Sequence, residues 1–94
     1  MQNNYETIMI INSAIEEAAI KSTIEKVKDL ISANGTVESV EEWGNKKLAY
    51  PVKKHSEGYY VLVNFSSNPE FIDELERVYN ITDEVLKHIV IKKD

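Results

Sequence analysis

The chain has 94 residues, of which 43% are hydrophobic and 29% charged, so it is long enough for one core between two layers but not for two. It has no cysteine, which excludes disulfides and thiolate metal sites, and its net charge of −5 argues against a surface that is basic throughout. No apolar run approaches the roughly 20 residues of a membrane span, and the first residues do not resemble a signal peptide. We therefore expect a single domain, residues 1–94, in the cytoplasm.

The first third of the chain predicts a strand followed by a helix. Residues 5–11 are largely apolar on both alternating faces, as is typical of a central strand. Ser13 and Glu16 resemble a capping box at the start of a helix, although that start can shift by one turn. Apolar residues recur at helical spacing to about Ala33, where Asn34–Gly35 predicts a left-handed stop.

Residues 36–52 predict a second strand of unusual length. Val37 and Val40 break strict alternation, which indicates a β-bulge between them or near Glu41–Glu42. Pro51 cannot donate a ladder hydrogen bond, so this strand should lie at a sheet edge. Alternation then resumes, and three residues are expected to anchor the end of the strand to the core: Leu48, Tyr50 and Val52.

The second half of the chain repeats the pattern. Residues 53–57 predict a polar turn, and residues 59–65 predict the clearest strand, in which apolar residues occupy both faces. Pro69 favours the start of a helix that ends near Asn80. Residues 85–91 alternate again and predict the last strand.

The predicted order is therefore strand, helix, strand, strand, helix, strand. Two split βαβ units of this size are typical of a ferredoxin-like βαββαβ sandwich, an α+β fold whose four antiparallel strands carry both helices on one face. No helix then covers the other face, which we call the open face. Six apolar residues are predicted to point outward there: Ile8, Ile10, Tyr60, Leu62, Ile89 and Ile91.

A contiguous apolar patch of this kind is typical of a protein interface. The alternatives are that the termini cover the patch, or that one strand has been assigned to the wrong face. If the patch is an interface, the partner is either another protein or a second copy of this chain. The state of association distinguishes these two possibilities.

The segment from Trp43 to Tyr59 holds four of the eleven basic residues. They are Lys46, Lys47, Lys53 and Lys54, and no acidic residue interrupts them before Glu57. Lysines can neutralise phosphates, and the tryptophan and tyrosines nearby can stack on bases, so the segment suits RNA. The alternative is a solvated charged surface with packed tyrosines, which is the reading we favour for Tyr50. Four lysines on an acidic chain would bind RNA only weakly by charge.

Catalysis has little support in the sequence. There is no cysteine nucleophile, and His55 and His88 are far apart in the chain. His55 is expected to be exposed in a turn and His88 to be a partly buried packing residue. No glycine-rich phosphate loop or calcium-binding loop is present, and we expect neither a cofactor nor a small-molecule substrate.

Several of these residues together form a recognisable motif. Tyr5-Glu6, the run Gly44-x-Lys-Lys-Leu-Ala-Tyr-Pro51, Lys54 and Gly58-Tyr59 resemble the bacterial small-subunit ribosomal protein six family. The resemblance extends over the whole chain and implies a ferredoxin-like fold without catalytic activity. It also implies a place in the cytoplasmic ribosome.

The resemblance further implies binding to the central domain of small-subunit ribosomal RNA. The family binds this RNA as a heterodimer with ribosomal protein eighteen, which is small and strongly basic and would supply positive surface that this acidic chain lacks. By motif position the resemblance assigns RNA contacts to Lys46, Lys47, Lys54 and Lys87. Lys53 is added from the basic segment itself. Phosphate contacts of this kind fix position without reading sequence.

The chain departs from the family pattern in two places. Many members have arginine at the positions of Lys46 and Lys47, and lysine lacks the bidentate phosphate geometry of arginine. Basic residues near the family's N-terminus are replaced here by Gln2 and Asn3, which puts an N-terminal RNA contact in doubt.

Overall fold

The computed structural model describes residues 2–93, and over this range the elements follow the predicted order. Their bounds are β1 Asn3–Asn12, α1 Glu17–Asn34, β2 Gly35–Val52, β3 His55–Ser67, α2 Glu70–Ile81 and β4 Val85–Lys93. The four strands form one antiparallel sheet in the order β2-β3-β1-β4. The ferredoxin-like fold is confirmed, and β2, which carries Pro51, is an edge strand as predicted.

The main core lies between the sheet and the two helices. Strand alternation sends one face of β1 and β3 into it, and the fully buried residues of these strands are Thr7, Met9, Ile11, Val61, Val63, Phe65 and Ser67. Helix α1 contributes Ile20, Ile24, Val27 and Ile31, which recur at helical spacing. The Phe65 ring stacks on Tyr5 at 5.5 Å and meets the edge of Phe71 at 6.3 Å, so aromatic packing joins β1, β3 and α2.

One polar pair lies inside this core. The hydroxyl oxygens of Thr7 and Tyr79 are 3.0 Å apart, and the Thr7 hydroxyl donates to the carbonyl oxygen of Ile89 at 2.9 Å. Burial raises the pKa of Tyr79 to about 12 from the usual 10.0. The Tyr79 ring also stacks on His88 at 4.8 Å, and His88 is half-buried, which confirms its expected packing role.

Helix α1 begins one turn after Ser13 and ends at Asn34, within the predicted bounds, but neither end has the predicted capping conformation. Helix α1 begins at Glu17, with Glu16 as an N-cap that makes no side-chain capping hydrogen bond. The side chain of Asn12 instead accepts from the amide of Ala14 at 2.9 Å, so Ser13 lies in the turn before the helix. Gly35 has φ −173°, which is extended and not left-handed. A Cβ there would collide with the carbonyl of Ser66, so this glycine permits the close approach of β2 to β3.

The predicted irregularity of β2 is confirmed. The register against β3 shifts once between Val37 and Ser39 and again between Glu42 and Gly44. The second shift leaves Trp43 as the extra residue of a bulge, and Gly44 has φ +84°.

The open face is only partly exposed. A second cluster, which we call the arm cluster, joins the buried residues Ile10, Leu48 and Leu86 and is flanked by Val52 and Tyr60. The prediction that Ile10 and Leu62 are exposed is therefore wrong, since their exposed fractions are 8% and 7%.

The remaining apolar residues predicted on that face are more accessible. Ile8 and Tyr60 are half-buried, and Ile89 and Ile91 are exposed. All six predicted residues do share one face by register. Within residues 2–93, neither helix is long and apolar enough to cross a membrane.

Candidate nucleic-acid and protein interface

The last part of β2 and the first part of β3 form a hairpin arm, residues 46–57, at the end of the sheet. Strand β1 pairs with β3 no further than Gly58, which lies opposite Asn12, so the arm continues on two strands alone. The arm holds four lysines and one glutamate, a formal charge of +3 in a chain of net charge −5. Positive charge is thus concentrated on one projecting element.

The tip of the arm is a two-residue turn. Val52 pairs with His55, and Lys53 and Lys54 between them have φ values of 50° and 69°. Two-residue hairpins require such left-handed residues, a role that asparagine or glycine usually fills. Lysine at both positions is strained but presents two ammonium groups on successive residues.

Residues 48–51 leave the ladder altogether. Lys47 pairs with Glu57 and Val52 with His55, so four residues of β2 lie opposite Ser56 alone. We call these residues the 48–51 loop. It carries Leu48 over the open face into the arm cluster, which accounts for the Leu-Ala-Tyr-Pro run in the motif.

Gly58 packs closely beneath the 48–51 loop, whereas Tyr50 of the loop is exposed. A Cβ on Gly58 would collide with Ile10 and would lie 3.7 Å from Leu48, so glycine is needed beneath the loop. Tyr50 is 62% exposed, so the prediction that it anchors the arm to the core is wrong. The prediction assumed strand alternation, which the 48–51 loop interrupts. Leu48 is buried and Val52 half-buried, as expected.

The exposed Tyr50 instead contacts β4. The ammonium nitrogen of Lys87 lies 5.4 Å from the centre of the Tyr50 ring and donates to its hydroxyl at 3.2 Å. This cation–π contact holds Lys87 beside the arm. Tyr50, which was predicted to pack on the core, therefore positions Lys87, one of the lysines predicted to bind RNA.

Lys53 and Lys87 lie in one cleft of about 260 Å³ between the arm tip, α2 and β4. The other lining residues are Tyr79, Asn80, Val85, Leu86 and His88. The described residues that line this cleft include no carboxylate, so its polar groups can donate to an anion. His88 and Asn80 were not among the predicted site residues, because nothing in the local sequence indicates that α2 ends beside the arm.

Lys54 lies in a different cleft. This cleft is about 330 Å³, lies between the arm and the turn after β1, and is lined by Ser13, Ala14, Asn45, Lys54, His55, Ser56 and Glu57. His55 begins β3 and is half-buried, so the prediction of an exposed turn residue is wrong. The carboxylate of Glu57 accepts from the side chain of Asn45 at 2.6 Å, which makes this cleft less favourable to anions than the first.

Lys46 and Lys47 are exposed but do not form a pair. Lys46 lies opposite Gly58 and Lys47 opposite Glu57 in the ladder, so their side chains project to opposite faces of the arm. Lys46 shares the open face, and Lys47 shares the face that carries the helices. The five lysines predicted to bind RNA therefore occupy four separate positions rather than one.

A tryptophan site lies next to the arm on the open face. The Trp43 indole stacks on the Tyr60 ring, with centroids 6.4 Å apart and an interplanar angle of 13°. Its Nε1–H donates to Glu41 Oε1 at 3.4 Å. Trp43 remains 44% exposed, so Tyr60 covers only part of the indole. Sequence reasoning noted Trp43 only as a stacking residue and missed Glu41, because the bulge that unites them was not located to a residue.

The next carboxylate is oriented away from this site. Glu42 accepts from the Tyr59 hydroxyl at 2.8 Å on the side of the sheet that carries the helices. This hydrogen bond to a carboxylate is the main reason that the pKa of Tyr59 is raised above its usual value. The adjacent acids of β2 are thus divided between the two faces.

Comparison with known proteins shows the family. The family model described as ribosomal protein S6 matches residues 4–92. Small ribosomal subunit protein bS6 of Clostridium novyi is 51% identical over 92 residues, covering 97% of both chains. The protein of the same name from Clostridium perfringens strain 13 is 48% identical over 91 residues, covering 96% of both.

Solved structures agree with the sequence comparison. The crystal structure of 30S ribosomal protein S6 from Thermotoga maritima has a TM-score of 0.94 and 29% identity, and covers 99% of this chain and 89% of that one. An uncharacterised protein from the same organism has a TM-score of 0.65 with 11% identity, which shows a shared fold alone. This chain therefore belongs to the ribosomal protein S6 family, a family of non-enzymatic structural proteins of the small subunit of the cytoplasmic ribosome.

Proposed function

We propose that the protein binds the central domain of small-subunit ribosomal RNA together with ribosomal protein eighteen during assembly of the subunit. The observation that carries the RNA contact is the cleft that both Lys53 and Lys87 line, whose described lining residues include no carboxylate. The partner supplies the larger share of positive charge, because this chain has a net charge of −5.

The five predicted lysines contribute unequally to this RNA contact. Lys53 and Lys87 both line one cleft, so they are the two lysines best placed to contact neighbouring phosphates. Lys54 lies beside Glu57 in the other cleft and adds less. Lys46 and Lys47 project to opposite faces, so one RNA strand engages one of them at a time.

The partner docks on the exposed part of the open face. Ile89 and Ile91 are 44% and 46% exposed at the free edge of the sheet, beside the half-buried Ile8, and the half-buried Tyr60 lies two strands away on the same face. Exposed apolar side chains grouped in this way stabilise complexes when a partner removes them from water. Ile10 and Leu62 support this surface from below and do not contact the partner.

The test is RNA binding as a function of salt concentration, with and without ribosomal protein eighteen. Replacing Lys53 and Lys87 together by alanine should lower the slope of log K against log salt by about 1–2, since each lost phosphate contact removes roughly one released counterion. Replacing Lys46 and Lys47 together should lower this slope by about 1 or less, because their side chains project to opposite faces of the arm.

The matched control replaces Lys21 and Lys28 by alanine. These two lysines lie on α1 and form ion pairs with Glu17 and Glu25, so the control changes net charge equally without touching the arm. If the Lys53 and Lys87 variant and the control have equal slopes of log K against log salt, Lys53 and Lys87 do not contact the RNA. A stable homodimer without RNA affinity, even when protein eighteen is present, would instead favour self-association through the open face.

A further inference from the structure

We propose that Trp43, Glu41 and Tyr60 form a binding site for an arginine side chain of a basic protein that docks on the open face. This inference rests on the proposed partnership and deepens it, because it names the chemistry of one contact. The site is separate from the cleft of Lys53 and Lys87, because none of its three residues lines that cleft.

The bulge in β2 builds the aromatic half of the site. Register passes from Glu42 opposite Val61 to Gly44 opposite Tyr60, so Trp43 has no partner of its own in the ladder. The left-handed Gly44 turns the chain there, and the indole lies over Tyr60 on the open face. The exposed part of the indole is a flat apolar surface that a planar group can cover.

Glu41 supplies the charged half. It lies opposite Leu62, so its side chain shares the open face with Trp43 and Tyr60. The side chain is exposed, and the hydrogen bond from the indole nitrogen holds one carboxylate oxygen beside the ring. A carboxylate accepts several hydrogen bonds, so the group retains acceptor capacity for a second donor.

A flat aromatic surface beside a carboxylate matches a guanidinium group. Arginine stacks its planar cation on aromatic rings, tryptophan best of all, and donates two parallel hydrogen bonds to a carboxylate. Lysine matches the site less well because its ammonium is a compact and strongly hydrated point charge. A nucleobase could stack on the indole, but the attached phosphate would be repelled by Glu41.

The site is continuous with the apolar surface proposed for the partner. Directly opposed residues across the sheet form one row, from Glu41 through Leu62 and Ile8 to Ile89. The neighbouring row runs from the Trp43 bulge through Tyr60 and Ile10 to Lys87. A basic protein that covers Ile8 and Ile89 therefore meets Glu41 and Trp43 at the rim, where charge is complementary and partly shielded from water.

Intrinsic fluorescence provides a direct test, because Trp43 is the only tryptophan of the chain. The full chain is titrated with a tryptophan-free form of ribosomal protein eighteen, then separately with central-domain RNA. We expect the partner protein to change the Trp43 emission and RNA alone to leave it unchanged. Affinity for the partner is measured in parallel for the variants Glu41→Gln, Trp43→Leu and Trp43→Phe.

Glu41→Gln should weaken partner binding roughly tenfold, since it removes the charge but keeps the size of the side chain. Trp43→Leu should weaken it by a similar factor or more, and Trp43→Phe by less, because phenylalanine still offers an aromatic surface. The control is Glu76→Gln, which removes one exposed carboxylate from α2 on the other side of the sheet and should leave affinity unchanged.

The outcomes separate this inference from the proposed function. If the partner binds but neither the fluorescence nor the variants respond, the arginine site is wrong and the partnership stands. If Trp43 responds to RNA alone, the site takes a nucleobase and the inference is overturned. If the partner does not bind at all, the proposed partnership fails and the inference fails with it.

Discussion

The two faces of the sheet are closed in different ways. The helix-side face is sealed by α1 and α2, and its central residues, among them Met9, Val63 and Phe65, are fully buried. On the open face no helix of residues 2–93 packs, and the 48–51 loop carries Leu48 over Ile10 to form the small arm cluster. Two helices thus stabilise the fold, whereas four residues of an edge strand shape the surface that remains for recognition. Stability and binding should therefore respond to different substitutions.

The largest effect is expected on the helix-side face. Phe65→Ala removes a fully buried ring that contacts both Tyr5 and Phe71, and should lower the free energy of unfolding by about 3–5 kcal/mol. Urea denaturation measures this loss. The conservative Phe65→Leu should recover most of it, and a loss below about 1 kcal/mol for the alanine variant would contradict the packing described.

A smaller loss is expected on the open face. Leu48→Ala should lower the free energy of unfolding by about 2–3 kcal/mol, because the arm cluster is small and the site borders solvent. The Leu48 and Phe65 variants should also differ in which part of the chain opens. Hydrogen exchange in residues 46–57 should depend less on urea than exchange in α1, since the loop can open without exposing the main core. Equal urea dependence in the two segments would show that the two faces open together.

A third effect appears only at alkaline pH. Tyr79 has a pKa near 12 in the folded protein and about 10.0 when exposed, so folding favours the neutral phenol. The stabilisation is fully present below pH 10 and is lost as pH rises through 12, a decline of about 2–3 kcal/mol.

The variant Tyr79→Phe isolates this group. It should lose about 1 kcal/mol at neutral pH, because the Thr7 hydroxyl loses one hydrogen-bond partner. Its stability should then fall less steeply than that of the natural chain between pH 10 and 12. Urea midpoints measured across this range provide the comparison, and parallel curves would mean that Tyr79 does not titrate as described.

The same contrast explains what the sequence could predict. The helix-side face follows strict alternation in residues 59–65 and helical spacing in α1, so its core was predicted correctly. Pro51 indicated the edge strand because proline cannot donate to a ladder, and in the structure it lies on the edge strand β2, within the unpaired 48–51 loop. The family motif was recognisable because it is continuous in the chain.

The open face was predicted less well because it depends on departures from alternation. Strict strand alternation places Tyr50 on the same face as Leu48 and Val52, which predicted that it packs on the core. The 48–51 loop leaves the ladder and interrupts this alternation. Gly35 ends α1 as predicted, but it is extended and not left-handed, and the lack of a Cβ is needed for the close approach of Ser66. The cleft of Lys53 and Lys87 joins residues 34 positions apart, and only the folded arm brings them together.

The smallest expected effect lies at the bulge that links the two regions. Gly44 has φ +84°, and a Cβ there would meet nothing within 4 Å, so Gly44→Ala should cost only the backbone strain of a left-handed alanine, about 1 kcal/mol. Gly44→Asn should cost less, because asparagine tolerates this conformation. If the bulge orients Trp43, its emission should shift in the alanine variant and remain closer to natural in the asparagine variant. Equal emission in all three proteins would mean that Tyr60 and Glu41 hold the indole without help from the bulge.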